Sequence, residues 1–361
     1  RRVLFRSRRY ASHLAAALDA PNIPVSVYAR LVDGINAALP TFHRYLGLRK
    51  RMLAVPDDLH YFDLYAPLVA SAQVRYSPDE AEAVVVDSLA PLGDAYTRVV
   101  RRAFRERWID FLPTTGKRSG AYSEGAAYDV HPYILLNFLG LYNDVSTLTH
   151  ELGHTMHSYY SNTRQPYALA NYHTFVAEVA STFNEALLIE FVLGRTTERS
   201  LRLSLLGSYL ENIKSTVFRQ TQFAEFELRM HEAFERGEPV TGDMLNALFL
   251  SITRKYYGHA EGVCVVDDYV AHEWSYIPHF YLNFYVFQYA TSFTAAEALS
   301  ARVLAGDVDA RDRYLAFLGS GTSKYPIELL RDAGVDMTTD EPLAFTIRRM
   351  NAVMDDIETL L

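Results

Sequence analysis

A single cysteine in 361 residues rules out an intrachain disulfide framework. Cys264 lies in an apolar run, VCVV, where a buried thiol is expected rather than a nucleophile. The lack of disulfides fits a reducing compartment, and a cytoplasmic location is the default expectation. Glycine and proline are also sparse, at 18 and 14, which excludes a collagen-like chain, low-complexity linkers and a long disordered tail. No long Lys/Arg tract is present, and 35 basic against 43 acidic residues leave a net charge of -8. A phosphate backbone therefore has no evident seat, and nucleic acid is not an expected partner. The longest stretch without Asp, Glu, Lys or Arg runs from Trp274 to Ala296, but Pro278, His279, Asn283 and Gln288 interrupt it. It reads as a buried helix with its lead-in, and no membrane partner is expected. The opening RRVLFRSRRY has neither an initiator Met nor the apolar core of a signal peptide.

What the chain does have is 49% hydrophobic residues, enough for a substantial core in one large domain or two. Residues up to about 55 read as helical fragments broken at Pro21 and Pro24. YFDLY (61–65) and AVVVDS (83–88) are rich in aromatic and β-branched residues and are expected as short strands. A helix is expected over 93–108, then a hairpin or exposed loop over 112–131 around Gly116, Gly120 and Gly125. From Asp144 the pattern is mainly helical, with one helix to about Tyr160 and another from Tyr172 to Gly194. Further helices are expected at 201–236, 241–256, 280–305, 309–319 and 342–359. The expected fold class is mainly α with a small β component.

The sharpest chemical signal is THELGHTMHSYY, in which His150, Glu151 and His154 form HExxH. Residues four apart on a helix lie about 40° from eclipsed and roughly 6 Å apart in rise, so both imidazoles reach one zinc ion. Glu151 then lies near the ion without ligating it, placed to take a proton from the attacking water and pass it to the leaving amine. Val145, Leu148, Leu152 and Met156 supply an amphipathic stripe, and Gly153 permits close backbone approach. A catalytic zinc needs a third protein ligand. Glu178, in FVAEVASTFNEALL, is the best candidate, and Glu185, seven residues on and nearly on the same face, suits a carboxylate orienting a ligand histidine. His157 and His173 read as structural histidines, and His272-Glu273 lacks the second histidine of a further motif copy.

HELGHTMHSYY, QPYALANYHTFVAEVASTFNE and WSYIPHFYLNFYVFQYATSFTAAEAL together resemble the oligoendopeptidase F branch of the thimet-oligopeptidase-like (M3) zinc peptidases. GKRSGAY at 116–122, HPYILLNF at 131–138 and KYPIELLRDAGVDM at 324–337 extend the resemblance in the same order. It implies a helical, zincin-type metallopeptidase with a deep channel that hydrolyses internal bonds of short peptides, using one Zn2+ per chain. It implies a partial N-terminal helical region with the start of the catalytic domain over 1–110. The catalytic domain would then occupy 111–361, with its HExxH core at 144–194. Members of the family generally carry a longer N-terminal helical region that walls the channel. The implied zinc ligands are His150, His154 and Glu178, the base is Glu151, and the following conserved carboxylate falls on Glu185.

The late His/Tyr block falls on His279, Tyr281 and Tyr285, implied to approach the substrate from the opposite wall. A phenol or imidazole there would stabilise the oxyanion of the tetrahedral state. Tyr281 and Tyr285 are four apart and expected to share a helical face, and the choice between them stays open. Gly120 and Tyr122 are candidate substrate-lining residues, with a solvent-exposed hairpin as the alternative. The segment lacks the spacing of a nucleotide loop. Two other functions share these features: a zinc exopeptidase releasing dipeptides or carboxy-terminal residues, and a non-catalytic peptide-binding module.

Overall fold

The computed structural model describes residues 8–68 and 75–361, and the opening RRVLFRS lies outside them. In chain order the helices are α1 (His13–Leu18), α2 (Val25–Ala37), α3 (Leu39–Met52), α4 (Pro78–Ser88) and α5 (Asp94–Arg105). Strands β1 (Ile109–Asp110), β2 (Tyr122–Glu124) and β3 (Tyr133–Leu135) follow. After them come α6 (Tyr142–Arg164), α7 (Thr174–Arg195), α8 (Arg199–Ile213), α9 (Arg219–Glu235) and α10 (Gly242–Tyr256). The chain ends with α11 (Phe287–Leu304), α12 (Val308–Leu318), α13 (Pro326–Ala333) and α14 (Glu341–Leu360). Among the described residues, 67% are helical and one three-stranded sheet is present, so the fold is mainly α with a small β component.

The described chain divides into two compact units, neither of them continuous in sequence. One comprises Arg1–Ser71, Leu203–Thr291 and Thr338–Leu361, and the other Ala72–Arg202 and Ser292–Met337. In the first, an aromatic core forms where Phe42 stacks on Phe218 at 4.6 Å and the Tyr28 hydroxyl donates to the Ala224 carbonyl at 2.7 Å. Three of its buried charges are paired: Arg49 with Glu211, Glu273 with Arg219, and Glu225 with Lys255 at 2.6 Å. Glu273, from the HEWSY segment, is thus a buried structural anion.

In the second unit α6 and α7 pack along one another and carry the core. Val145, Leu148, Leu152 and Met156 on α6, and Val176, Val179, Phe183 and Leu187 on α7, are completely buried. Asp144 starts α6 by accepting the backbone N–H groups of Leu139 and Leu141 at 3.0 and 2.8 Å, which satisfies donors left free by the helix start. Gly153 sets the helix separation: a Cβ there would stand 2.5 Å from the Ala180 carbonyl oxygen and from Ser181 Cα. Strand β3 pairs in parallel with β1 and antiparallel with β2, in the order β1-β3-β2. Ser123 of β2 shares a 2.8 Å hydrogen bond with Thr155 of α6, which ties the sheet beside the two histidines.

Several expectations are corrected. YFDLY is a 3-10 turn (Tyr61–Tyr65), and AVVVDS belongs to α4. Ser77, Pro78 and Glu80 start that helix with a reciprocal capping box, a local signal that outweighs the β-branched content behind it. The helix expected over 201–236 contains a π-helical turn at Lys214–Phe218. Helix α13 was not expected, although Pro326 at its start and Gly334 in the left-handed conformation at its end mark it. The helix expected from 280 starts at Phe287, after a 3-10 turn (Pro278–Tyr281) and an irregular stretch. Tyr281 and Tyr285 therefore do not share a helical face.

Candidate metal centre

His150 and His154 lie on the face of α6 away from its buried stripe, with Glu178 facing them from the second turn of α7. Nε2 of His150 and Nε2 of His154 are 3.2 Å apart, and the Glu178 Oε2 atom is 3.4 Å and 3.3 Å from them. Tetrahedral zinc with arms of about 2.0–2.1 Å places its donors about 3.3–3.4 Å apart. The three atoms thus have the spacing of three corners of a zinc tetrahedron. Among the described residues, this is the cluster of three or more His, Cys, Asp or Glu that meets a metal-ligating spacing. The donor set, two imidazoles and one carboxylate, is one zinc accepts readily.

Polar contacts hold the donors in place. Nδ1 of His150 is 3.2 Å from the Glu185 carboxylate, whose other oxygen accepts the Ser146 hydroxyl at 3.2 Å. Ser181 donates to Glu178 Oε2 at 3.0 Å. Burial alone would raise the Glu178 carboxyl pKa, but hydrogen bonds from His150 and His154 carry it far below the ordinary range. Burial disfavours the His150 imidazolium, and the carboxylates of Glu185 and Glu178 outweigh it, so its pKa is raised. Glu151 is 7% exposed, and burial raises its carboxyl pKa against the opposing effect of the two histidines.

His157 is not among the converging donors. It is buried, stacks on Tyr172 at 3.8 Å, and its Nδ1 has no hydrogen-bond partner. Burial pushes its pKa down to about 3, so it is a neutral core residue. His173 sits at the start of α7. In the 116–125 segment, Gly116 and Gly120 adopt φ of +82° and +88°, and Asn137 donates to the Gly120 carbonyl at 2.9 Å. Tyr122 is exposed on β2, which is an edge strand of the sheet.

The late block lies in the other unit. There Tyr285 is half-buried, stacked with His279 at 6.1 Å and edge-on to Tyr289 at 5.5 Å, while His279 is 6.0 Å from Tyr289. Tyr281 is 77% exposed. Tyr289 completes this trio and was missed in the sequence. Its place four residues after Tyr285 was the available signal. Ser146 and Ser181 were missed as well, although they stand four residues before His150 and three after Glu178.

The model of peptidase family M3 matches residues 2–349. Oligopeptidase PepF of Bacillus subtilis is 46% identical over 356 residues, covering 99% of this chain and 52% of that protein. Group B oligopeptidase PepB of Streptococcus agalactiae is 41% identical over 356 residues, covering 99% of the chain and 58% of that protein. The crystal structure of oligoendopeptidase-F from Enterococcus faecium superposes with a TM-score of 0.77 at 36% identity, over 99% of this chain and 56% of that one. The chain thus spans little more than half the length of these relatives. It belongs to peptidase family M3, in the oligoendopeptidase F branch.

Proposed function

We propose that this chain carries the metal centre of a zinc-dependent endopeptidase that hydrolyses internal bonds of short peptides. The observation that carries this reading is the convergence of three donor atoms at tetrahedral spacing, with Glu151 buried on the same helix. His150, His154 and Glu178 would hold one zinc ion per chain. When bound, the ion supplies a Lewis acid that polarises the scissile carbonyl and makes water a stronger acid. Glu185 accepts a hydrogen bond from the Nδ1–H of His150, which fixes the tautomer that leaves Nε2 free to ligate. Glu151 stays out of the ligand set and receives the proton of the attacking water. It then hands that proton on to the leaving amine.

His279 and Tyr285 are assigned as donors to the developing oxyanion. Tyr285 is preferred over Tyr281 because rings on two sides hold it, whereas Tyr281 projects into solvent. Gly120 and Tyr122 are assigned to the substrate. An extended peptide would lie along β2, the edge strand tied to α6 through Ser123 and Thr155. Such a role uses the backbone of an extended chain.

The test is cleavage of an internally quenched peptide blocked at both ends. The wild-type chain is expected to cut it internally. Glu151→Gln, with zinc content and fold retained, should lose about 10²–10⁴-fold in rate. Cleavage by Glu151→Gln at the wild-type rate would overturn the mechanism. Trimming confined to peptides with free ends would replace the endopeptidase by an exopeptidase.

A further inference from the structure

Between the 3-10 turn that carries His279 and helix α11, the backbone of Phe284 takes φ +52°. A bulky aromatic residue is rarely found in this left-handed region, and it persists there only when its surroundings hold it. Two restraints do so here. The Phe284 ring is buried, 4.7 Å from His231 and 5.7 Å edge-on to Tyr28. Its backbone N–H donates to Oε1 of Glu227 at 2.7 Å. Glu227 is itself 1% exposed, on α9, 57 residues earlier in the chain. Burying a carboxylate is costly, and a buried glutamate that accepts the backbone N–H of a distant turn calls for a reason beyond packing.

The turn supplies the reason. Were 280–289 one continuous helix, Tyr285 would follow Tyr281 onto a single face. The left-handed residue immediately before Tyr285 redirects the chain, and Tyr285 instead meets His279 and Tyr289. The restraint belongs to one unit of the structure, because Glu227, Phe284, His279, Tyr285 and Tyr289 all fall within Leu203–Thr291. The bond from Glu227 reaches across 57 residues, so it ties the reversal to α9.

We propose that Glu227 is a positioning residue which pins the left-handed turn at Phe284 and thereby sets Tyr285 for the reaction. This rests on the reading of Tyr285 as an oxyanion donor. The need is for an acceptor at the Glu227 position, more than for its charge. Glu227→Gln, which keeps an acceptor of the same reach, should then preserve kcat to within about threefold. Glu227→Leu abolishes the acceptor, and Glu227→Asp keeps the charge but withdraws it by one methylene. Each should lower kcat by about 10–100-fold with KM nearly unchanged and zinc content intact.

The experiment is a double-mutant cycle on the blocked quenched peptide, with Tyr285→Phe as the second change. Tyr285→Phe alone is expected to lose about 10²–10³-fold in kcat, the usual loss for one oxyanion donor. Glu227→Leu or Glu227→Asp added to Tyr285→Phe should then cost little more, because the positioned hydroxyl is already gone. Glu227→Asp keeps the test open should Glu227→Leu fail to fold. Losses that multiply would mean a general structural role and overturn the positioning claim while leaving Tyr285 in place. A Glu227→Gln chain as slow as Glu227→Leu would overturn it too. Wild-type kcat in Tyr285→Phe would instead remove the oxyanion assignment, and the inference with it.

Discussion

Glu185 shows how one side chain would tune a candidate metal site without joining it. Its carboxylate orients His150 through Nδ1 and is held in turn by Ser146. Partners of this kind typically contribute 10–100-fold to metal affinity. Glu185→Gln is therefore expected to weaken zinc by about that factor in competition with a chromogenic chelator, and an unchanged affinity would deny Glu185 the role. Much of the site was legible at this scale. HExxH fixes two imidazoles and a carboxylate by spacing alone, and the apolar stripe of α7 put Glu178 and Glu185 on a common helix. The serines that hold these glutamates were not legible, because a serine three or four residues away is commonplace and only the fold shows which ones turn inward. Tyr289 was hidden likewise, as one tyrosine among 25.

The α6–α7 pair is the element on which the site depends, and Gly153 lets it close. An alanine Cβ would meet backbone atoms of Ala180 and Ser181, which cannot move aside as a side-chain tip can. Gly153→Ala is expected to destabilise by about 1–3 kcal/mol or more. It should also weaken metal binding, since Glu178 stands two residues before Ala180 on the displaced helix. Thermal unfolding with and without zinc measures both, and a variant matching wild type in each would show that the helices have slack. The helices that carry the site were readable to within about four residues, because apolar periodicity marks them. The misread elements have physical causes. In α4, β-branched residues hid a helix that its Ser77-Pro78-Glu80 start announces. Before α11, a smooth helical pattern hid a break imposed by Glu227 from another helix, a restraint that no local window contains.

At the scale of the whole molecule, stability should depend on pH through His157. Its pKa in the folded chain is about 3 because of burial, whereas an unfolded histidine titrates near about 6.5. Between these values the unfolded state holds the extra proton, so stability is full above about pH 6.5 and falls as pH drops toward 3. The slope from this one group is about 1.4 kcal/mol per pH unit. His157→Phe keeps a ring against Tyr172 and removes the titration. Urea midpoints measured from pH 7 to 4 should fall less steeply in the variant, and equal slopes would place the acid sensitivity elsewhere. The unit that contains this histidine also contains the candidate metal centre, so both can be followed in one preparation. The most direct test of the central claim is a zinc titration of the metal-free chain, with bound metal and cleavage of a doubly blocked peptide read together. The account predicts that activity rises linearly and breaks at one zinc per chain, and that Glu178→Gln abolishes the break. Full cleavage by a chain stripped of metal, or zinc uptake unaffected by Glu178→Gln, would contradict it.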